Sequence, residues 1–510
     1  MSRPHLILAL MLLSLATTVA TAWGQEAEGQ AAALFNRGEF REAAAAFQRI
    51  IDHQATPEAY AGLLQSLLKL DDVDAAEEQS HKALEGFPQS AAALAADGDV
   101  KFRRGMFAEA EEQYAAALKH DEKCARAWLG MARIESAKAK PREAREDLSK
   151  AHDLGPQDGD IVYYWALNQP YPKNVAELEK HLASFGNDAD WERREREYVD
   201  LIKALAGRKV WIPAREVKQA VLKLEAIISS QPMAPQNRDR TAAQPIMANP
   251  EDRLRGYSLE VKLNDRAKAR VLVDTGSSGL TISQKLAEKA GAKKLSEHSL
   301  EGVGNAGPVK GYEAWVDKVT IGEFEFHDCH VRVSPRGSGD FDGLIGTNVF
   351  ADYLITLDLA AHKLRLEPLP PPAEAAQDSF TPFYAFGHIV LMPTTVGKSA
   401  HALFLLDTGA STNSISPQMA RRVGRVRDSN LTVKGMSGEV KNVYTVDDAA
   451  LDFAHVHQSH QDLITFDVRA ISKQLGTEIS GMIGFATLKN MKVVIDYRDG
   501  VVEVKEAGSH

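Results

Sequence analysis

The chain has 510 residues, too many for a single hydrophobic core, so several domains are expected. Hydrophobic residues at 44% and charged residues at 25% are ordinary for globular protein, and a formal net charge of -10 excludes the basic face of a general nucleic-acid binder. The two cysteines, Cys124 and Cys329, give no disulfide framework and read as small buried side chains.

The first element reads as an export signal. Arg3 supplies a positive start, Leu6 to Ala16 a short apolar run, and Ala20-Thr21-Ala22 a small-residue cleavage site before Trp23. The run is too short to span a bilayer comfortably, and no Cys follows the site to carry a lipid. The expectation is a signal peptide over 1–22 and an exported mature chain with no stable membrane insertion after cleavage.

From Ala31 to Pro156 a helical repeat is visible. Gly38-Glu39-Phe40, Asp71-Asp72-Val73, Gly105-Met106-Phe107 and Ala139-Lys140-Pro141 start 33, 34 and 34 residues apart. Ala43, Ala76, Ala110 and Ala144 recur at one offset, and Ala83, Ala117 and Ala151 lie seven residues further on. Small residues there let the two helices of a hairpin approach closely, while Phe47, Tyr114 and Leu148 fill the gap to the next hairpin. The period and pattern, with Trp128 near the start of the fourth copy, resemble the tetratricopeptide repeat. Such arrays have a concave face that binds peptides or proteins, so a protein partner in the repeat groove is one expectation and a structural stalk the other. Residues 157 to about 230 keep helical character without the period, with amphipathic helices at Val175 to Phe185 and Trp191 to Leu205. Ser229 to Pro250, rich in Pro, Gln and Asn, reads as a linker. The domains expected so far are 23–156 repeats and 157–250 helical extension and linker.

After Arg253 the texture turns to strands and glycines. A hairpin of Tyr257 to Leu263 and Ala269 to Val273, turning at Asn264-Asp265, runs into Asp274-Thr275-Gly276. Its counterpart, Ile389 to Val396 and Ala402 to Leu406, turns at Gly397-Lys398 and runs into Asp407-Thr408-Gly409. The match extends as D-T-G-x-S-x-x-x-I-S-x-x-x-A-x-x-x-G to Gly291 and Gly424. Ser283 and Ser416 would cap short helices that Gly291 and Gly424 end, with Pro417 at the first position of the second. Each half then carries an apolar-Gly element, Phe341 to Gly346 and Ser480 to Gly484, 72 and 77 residues after its Asp. Glycine there lets another backbone pass close by. A duplicated module that presents one Asp from each half brings two carboxyl groups together. They share a proton, so one serves as base and the other as acid, the chemistry of metal-free peptide hydrolysis by water.

These four motif elements, two per lobe and in order, resemble an aspartic peptidase of the retropepsin/pepsin type over the second half of the chain. With the repeats, the whole resembles bacterial exported retropepsin-like proteins carrying tetratricopeptide repeats. The resemblance implies an all-α repeat array followed by an all-β bilobal fold of two retropepsin-like barrels, lobe 1 over 251–370 and lobe 2 over 380–507. It implies that Asp274 and Asp407 are the catalytic pair, that Thr275, Gly276, Thr408 and Gly409 scaffold them, and that Ser277 and Ala410 are the residues after each motif. A Ser277 hydroxyl can favour the ionised form of a nearby carboxylate where Ala410 cannot, so the two Asp environments would differ. It implies a peptide or protein substrate, and a periplasmic or secreted location.

Between the signatures of each lobe lies a glycine-rich flap candidate: Glu301 to Tyr312, with Gly304, Gly307 and Tyr312, and Lys434 to Tyr444, with Met436 and Gly438. Gly302, Gly304 and Gly307 also satisfy G-x-G-x-x-G, but Pro308 and a strand-like stretch follow instead of a helix, so no dinucleotide site is expected. His327-Asp328-Cys329-His330 reads as a strand with His327 and Cys329 on one face and His330 on the other. His455, His457 and His460 read as a solvated strand end. Neither cluster has a metal-ligand spacing, and neither a metal nor a cofactor is called for. The expected function is an aspartic endopeptidase with a repeat domain for protein interaction. The alternative is an inactive exported scaffold that acts through its repeats.

Overall fold

The computed structural model describes residues 24, 26–229, 253–335, 340–371, 379–398 and 400–508. The expected signal peptide, nearly all of the linker from Ser229 to Pro250 and the polar stretch that begins at Pro372 lie outside the described residues. The chain divides into two compact units, residues up to Val199 (apart from the 135–141 turn) and residues from Asp200 onward. No helix among the described residues is long and apolar enough to cross a membrane.

In the first unit helices alternate as hairpins. Residues 26–36 (α1) pair with Phe40–Gln54 (α2), Pro57–Lys69 (α3) with Val73–Gly86 (α4), Ala91–Arg103 (α5) with Phe107–His120 (α6), and Ala125–Ala137 (α7) with Pro141–Leu154 (α8). The aligned Gly38, Asp71, Gly105 and Ala139 are the left-handed residue of each turn, with φ of 79°, 61°, 75° and 57°. That conformation reverses the chain within a few residues and sets the period read in the sequence. The recurring alanines are buried, and the Tyr114 ring sits where any Cβ on Gly98 or Gly130 would overlap it, so a large side chain fills the space left by small ones. A further hairpin, Gly159–Leu167 (α9) and Lys173–Ser184 (α10), precedes Ala189–Leu205 (α11). The sequence conceals this hairpin because its turn, at Asn168 to Pro172, uses two prolines and no left-handed residue.

The first helices of these hairpins carry a layer of paired charges. Arg126 donates to Asp99 at 2.6 Å and to Asp160 at 2.8 Å, and Lys69 donates to Asp160 at 2.7 Å. The Tyr114 hydroxyl donates to Asp99 at 2.8 Å. The Gly186 N–H donates to the Asn36 carbonyl at 2.7 Å, so the turn after α1 and the turn after α10 meet. The groove-side charges thus pair with one another, from α3 across to α9.

Helical character stops at Leu205 and not near residue 230. Ile212–Pro213, Ala220–Lys223 and Glu225–Ile228 are strands of the second unit. Ile212–Pro213 pairs with Phe324–Ser334, Ala220–Lys223 with Lys363–Pro368, and Glu225–Ile228 with Leu254–Leu263. Runs of two to four residues are too short to display a strand period, which is why the sequence reading continued the helices through them.

The second unit repeats one topology twice. In lobe 1 the strand Ala267–Val273 lies parallel to Gly343–Ile345, which is antiparallel to Leu280–Ser283 on its other side. In lobe 2 Ala400–Asp407 lies parallel to Gly481–Gly484, which is antiparallel to Ser414–Ile415. The apolar-Gly elements therefore thread between the strand that enters each D-T-G and the strand that leaves it. A Cβ at Gly343 or Gly481 would overlap the carbonyl of Thr281 or Ser414, so only glycine fits the crossing. The expected lobe 1 hairpin turns at Asn264 and Asp265, both left-handed at φ 48° and 55°, as a two-residue turn between twisted strands requires. The lobes share a sheet: Tyr353–Asp358 of lobe 1 pairs antiparallel with Met491–Asp496 of lobe 2, and each brings its own hairpin partner. Ser283 and Ser416 cap their helices, accepting from the N–H of Leu286 and of Met419 at 3.3 Å. Gly291 is left-handed, but Gly424 is extended and leaves no room beside Val446.

Candidate active site

Each D-T-G stands at the end of a buried strand, and the two loops meet at the lobe boundary. The Thr275 N–H donates to the Thr408 hydroxyl at 3.1 Å, and the Thr408 N–H to the Thr275 hydroxyl at 3.0 Å. The hydroxyls then donate across the boundary, Thr275 to the Leu406 carbonyl at 2.7 Å and Thr408 to the Val273 carbonyl at 2.8 Å. Both threonines are buried, and the N–H and hydroxyl of each are satisfied by the other lobe.

This clasp puts each carboxyl group over the glycine of the opposite motif. A Cβ on Gly276 would lie 2.9 Å from Asp407 Cγ, and one on Gly409 would overlap the Asp274 carboxyl. Each Asp Oδ1 accepts its own loop's glycine N–H at 2.8 Å, Gly276 to Asp274 and Gly409 to Asp407, and the two carboxyls hydrogen-bond one another. Burial, then the charge of Asp407, push Asp274 well above the ordinary carboxylate range. Burial raises Asp407 too, but it accepts a further N–H, from Ala410 at 2.9 Å, and the proton of Asp274. Asp274 is therefore raised further than Asp407, the direction that favours the shared proton on Asp274. The two Asp environments differ in their main-chain donors, Gly276 and Gly409 for Asp274 against Ala410 and Gly409 for Asp407.

The apolar-Gly elements buttress both loops. The Gly346 N–H donates to the Gly279 carbonyl at 2.8 Å, and the Phe485 N–H to the Ala410 carbonyl at 2.7 Å. Two asparagines that the sequence reading passed over complete the buttress. Asn348 Oδ1 accepts the Gly279 N–H at 2.9 Å, and Asn413 Oδ1 accepts the Gly484 N–H at 2.8 Å. The available signal was an Asn after one apolar-Gly element and another inside the opposite D-T-G loop, positions that differ between lobes and so escape an alignment of the halves.

The flap candidates approach each other across the lobes. The Ala306 N–H donates to the Ser437 carbonyl at 2.8 Å, the Ser437 N–H to the Val303 carbonyl at 2.9 Å, and the Gly302 N–H to the Ser437 hydroxyl at 3.1 Å. Gly304 lies against the Ser437 backbone, Gly438 against Ala306, and Met436 against Gly302. Gly307, left-handed at φ 76°, faces open space, and Tyr312 sits down the strand with its ring near Lys294.

The histidine clusters fall elsewhere. Asp328 is left-handed at φ 57° and interrupts the extended backbone without shifting the register to Val309–Ile321, so His327 is exposed while Cys329 is buried, and the expected shared face is lost. His330 Nε2 pairs with the buried Glu313 at 2.6 Å. His455 is a left-handed turn residue, His457 pairs with Asp452 at 2.6 Å, and His460 reaches Asn413 at 3.0 Å. Among the described residues no group of His, Cys, Asp and Glu could hold a metal ion. Cys329 is buried as expected, but Cys124 is only partly so; both are free.

Comparison with known proteins gives two family matches. A family model for aspartyl protease matches residues 259–349 and 392–487, and one for tetratricopeptide repeat matches residues 29–91 and 96–159. Among solved structures, the crystal structure of aspartic proteinase from Irpex lacteus is similar over 50% of this chain and 95% of that chain, at 12% identity and a TM-score of 0.33. No curated protein matches.

Proposed function

We propose that this chain, which carries tetratricopeptide repeats and behind them an aspartyl protease module, is a working endopeptidase whose dyad is Asp274 and Asp407. The observation that carries the proposal is the hydrogen-bonded pair of carboxyls, each seated over the other lobe's glycine. Nothing in the packing requires two buried carboxyls side by side, and burying them is costly, which favours a chemical role.

The steps follow from the protonation state. Ionised Asp407 takes a proton from a water held between the carboxyls, and the hydroxide formed attacks the scissile carbonyl carbon. Asp274 gives its proton to the carbonyl oxygen, so that no oxyanion is left unpaired in the tetrahedral intermediate. As the C–N bond breaks, Asp407 passes its proton to the leaving nitrogen and Asp274 regains one from the collapsing diol. The pair ends as it began.

The repeats serve protein or peptide recognition in this reading. A partner reaching for Arg126 or Asp99 has to displace their existing ion pairs. The Arg3 to Ala22 anatomy supports export to the periplasm or medium, and N-terminal sequencing of the mature chain should recover a start at Trp23. The activity is tested by digesting a mixed peptide library with and without a statine-type inhibitor. Inhibitor-sensitive cleavage of internal bonds is expected. A folded chain that cleaves nothing between pH 3 and 7 would return the reading to an inactive scaffold.

A further inference from the structure

Beside the lobe 1 loop lies a cationic side chain that the mechanism does not use. Arg332, on the strand Phe324–Ser334, donates Nη1 to the Ser278 carbonyl at 3.4 Å, four residues past Asp274. Its nearest carboxylate is Glu313, 3.6 Å from Nε and too far for a hydrogen bond, and Nε is buried without a hydrogen-bond partner. Glu313 is committed elsewhere. It pairs with His330 at 2.6 Å and with His298 at 3.3 Å, and the hydrogen bond from His330 helps hold it below the ordinary carboxylate range. The Arg332 side chain keeps 32% of its surface open to solvent.

Lobe 2 supplies the facing group. His388 lies in the turn between the strands Tyr384–Phe386 and Ile389–Val396, its ring hydrogen-bonds the Gly276 carbonyl, and its own carbonyl accepts the Tyr497 hydroxyl at 3.3 Å. Burial, then the positive charge of Arg332, lower His388 to about 4. Arg332 therefore acts on His388, whose ring sits on the dyad loop, as well as on Glu313.

We propose that Arg332, with His388 beside it, forms a subsite next to the dyad loop that takes a carboxylate side chain of the substrate, so that peptides with Asp or Glu near the scissile bond are preferred. The site offers a guanidinium side chain 32% open to solvent and an imidazole able to turn from Gly276 to an acceptor. A carboxylate there meets the exposed part of the guanidinium, and a guanidinium–carboxylate contact in a partly buried site is stronger than a neutral one. This proposal rests on the endopeptidase reading and names its substrate class.

The test uses the full chain and peptide pairs that differ only as Glu against Gln, at each position within about three residues of the cleaved bond. At one position Glu should raise kcat/KM by about 10-fold over Gln, roughly the discrimination of one charged hydrogen bond. Arg332→Met should bring that ratio to near one, chiefly through KM, and Arg332→Lys should restore part of it. Equal rates for every pair in the wild type, or an unchanged ratio in Arg332→Met, would overturn the subsite while leaving the endopeptidase standing. If Arg332→Met fails to fold, Glu313→Gln/Arg332→Met removes the stranded charge and reads the same ratio. Binding separates the two proposals. Fluorescence anisotropy of the same Glu and Gln peptides on the Asp407→Asn chain ranks them without hydrolysis, and equal affinities there would also overturn the subsite.

Discussion

Thr275 and Thr408 hold each other by a reciprocal exchange: each main-chain N–H donates to the other's hydroxyl, at 3.1 and 3.0 Å. The hydroxyls donate onward to Leu406 and Val273, the residues just before the opposite motifs, so the clasp fixes both Asp residues at once. Thr275→Val keeps the shape and strands the Thr408 N–H and the Leu406 carbonyl in a buried place. The expected cost is about 1–3 kcal/mol, with a similar value for Thr408→Val. Because the threonines are partners, the double variant should cost less than the sum, and a double-mutant cycle in denaturant measures the difference. Additive losses would mean that the two lobes are joined mainly by their shared sheet.

The dyad predicts both activity and stability. Asp274→Asn and Asp407→Asn should each lower kcat by about a thousandfold or more, since an amide neither shares the acidic proton nor acts as base, and the double variant should be little worse than either. The folded-state pKa of the pair lies above the unfolded value, so the native state binds the extra proton and stability falls as pH rises through the folded pKa. An Asn removes that loss. Either variant should therefore melt higher than the wild type at pH 7, with the gap closing toward pH 4. A gap independent of pH would place the raised pKa elsewhere.

Much of this site was legible in the sequence because the chain states it twice. A duplicated D-T-G, followed at similar distances by Gly343-Leu344-Ile345-Gly346 and Gly481-Met482-Ile483-Gly484, fixes strand, loop and crossing together, and each crossing needs glycine for contact reasons that apply to both halves. What escaped was whatever one half does alone. Asn348, after one crossing, accepts from a D-T-G loop, whereas Asn413, in the other D-T-G loop, accepts from a crossing. Arg332 and His388 meet only because the lobes do, 56 residues apart in sequence. The short strands at 212–228 declare themselves only by the partners they pair with. The break in alternation at Asp328 is one non-glycine residue at positive φ, which no local pattern announces.

In the repeat unit the prediction concerns Arg126. It is the common partner of Asp99, Asp158 and Asp160, and Asp99 is nearly fully buried. Arg126→Met keeps the volume and leaves those carboxylates facing one another. Removing one member of a buried network is destabilising by about 3–5 kcal/mol, which should appear as an earlier loss of helical circular dichroism on heating. Asp99→Asn should cost less, because Arg126 keeps Asp158 and Asp160. The reverse order would show that Asp99 is held chiefly by Tyr114 and Arg133.

The two flap tips can be tied together to ask whether they must part. A Cβ built on Gly302 lies 2.9 Å from Met436 Cβ, somewhat closer than the about 3.8 Å of a disulfide, and the glycine is not left-handed, so a side chain is tolerated after a small shift. The tips already exchange hydrogen bonds through Val303, Ala306 and Ser437, which orient the pair. Gly302→Cys/Met436→Cys should form a bond under oxidising conditions, detectable as the loss of two free thiols against the two native ones, Cys124 and Cys329. If the tips act as flaps, joining them bars a peptide long enough to lie across both lobes. Hydrolysis of a long peptide should fall by about a hundredfold on oxidation and return with dithiothreitol, while each single-cysteine variant responds to neither. If the oxidised double variant cleaves as fast as the reduced one, substrate enters from the side, and the contacts between the tips are a fixed part of the fold.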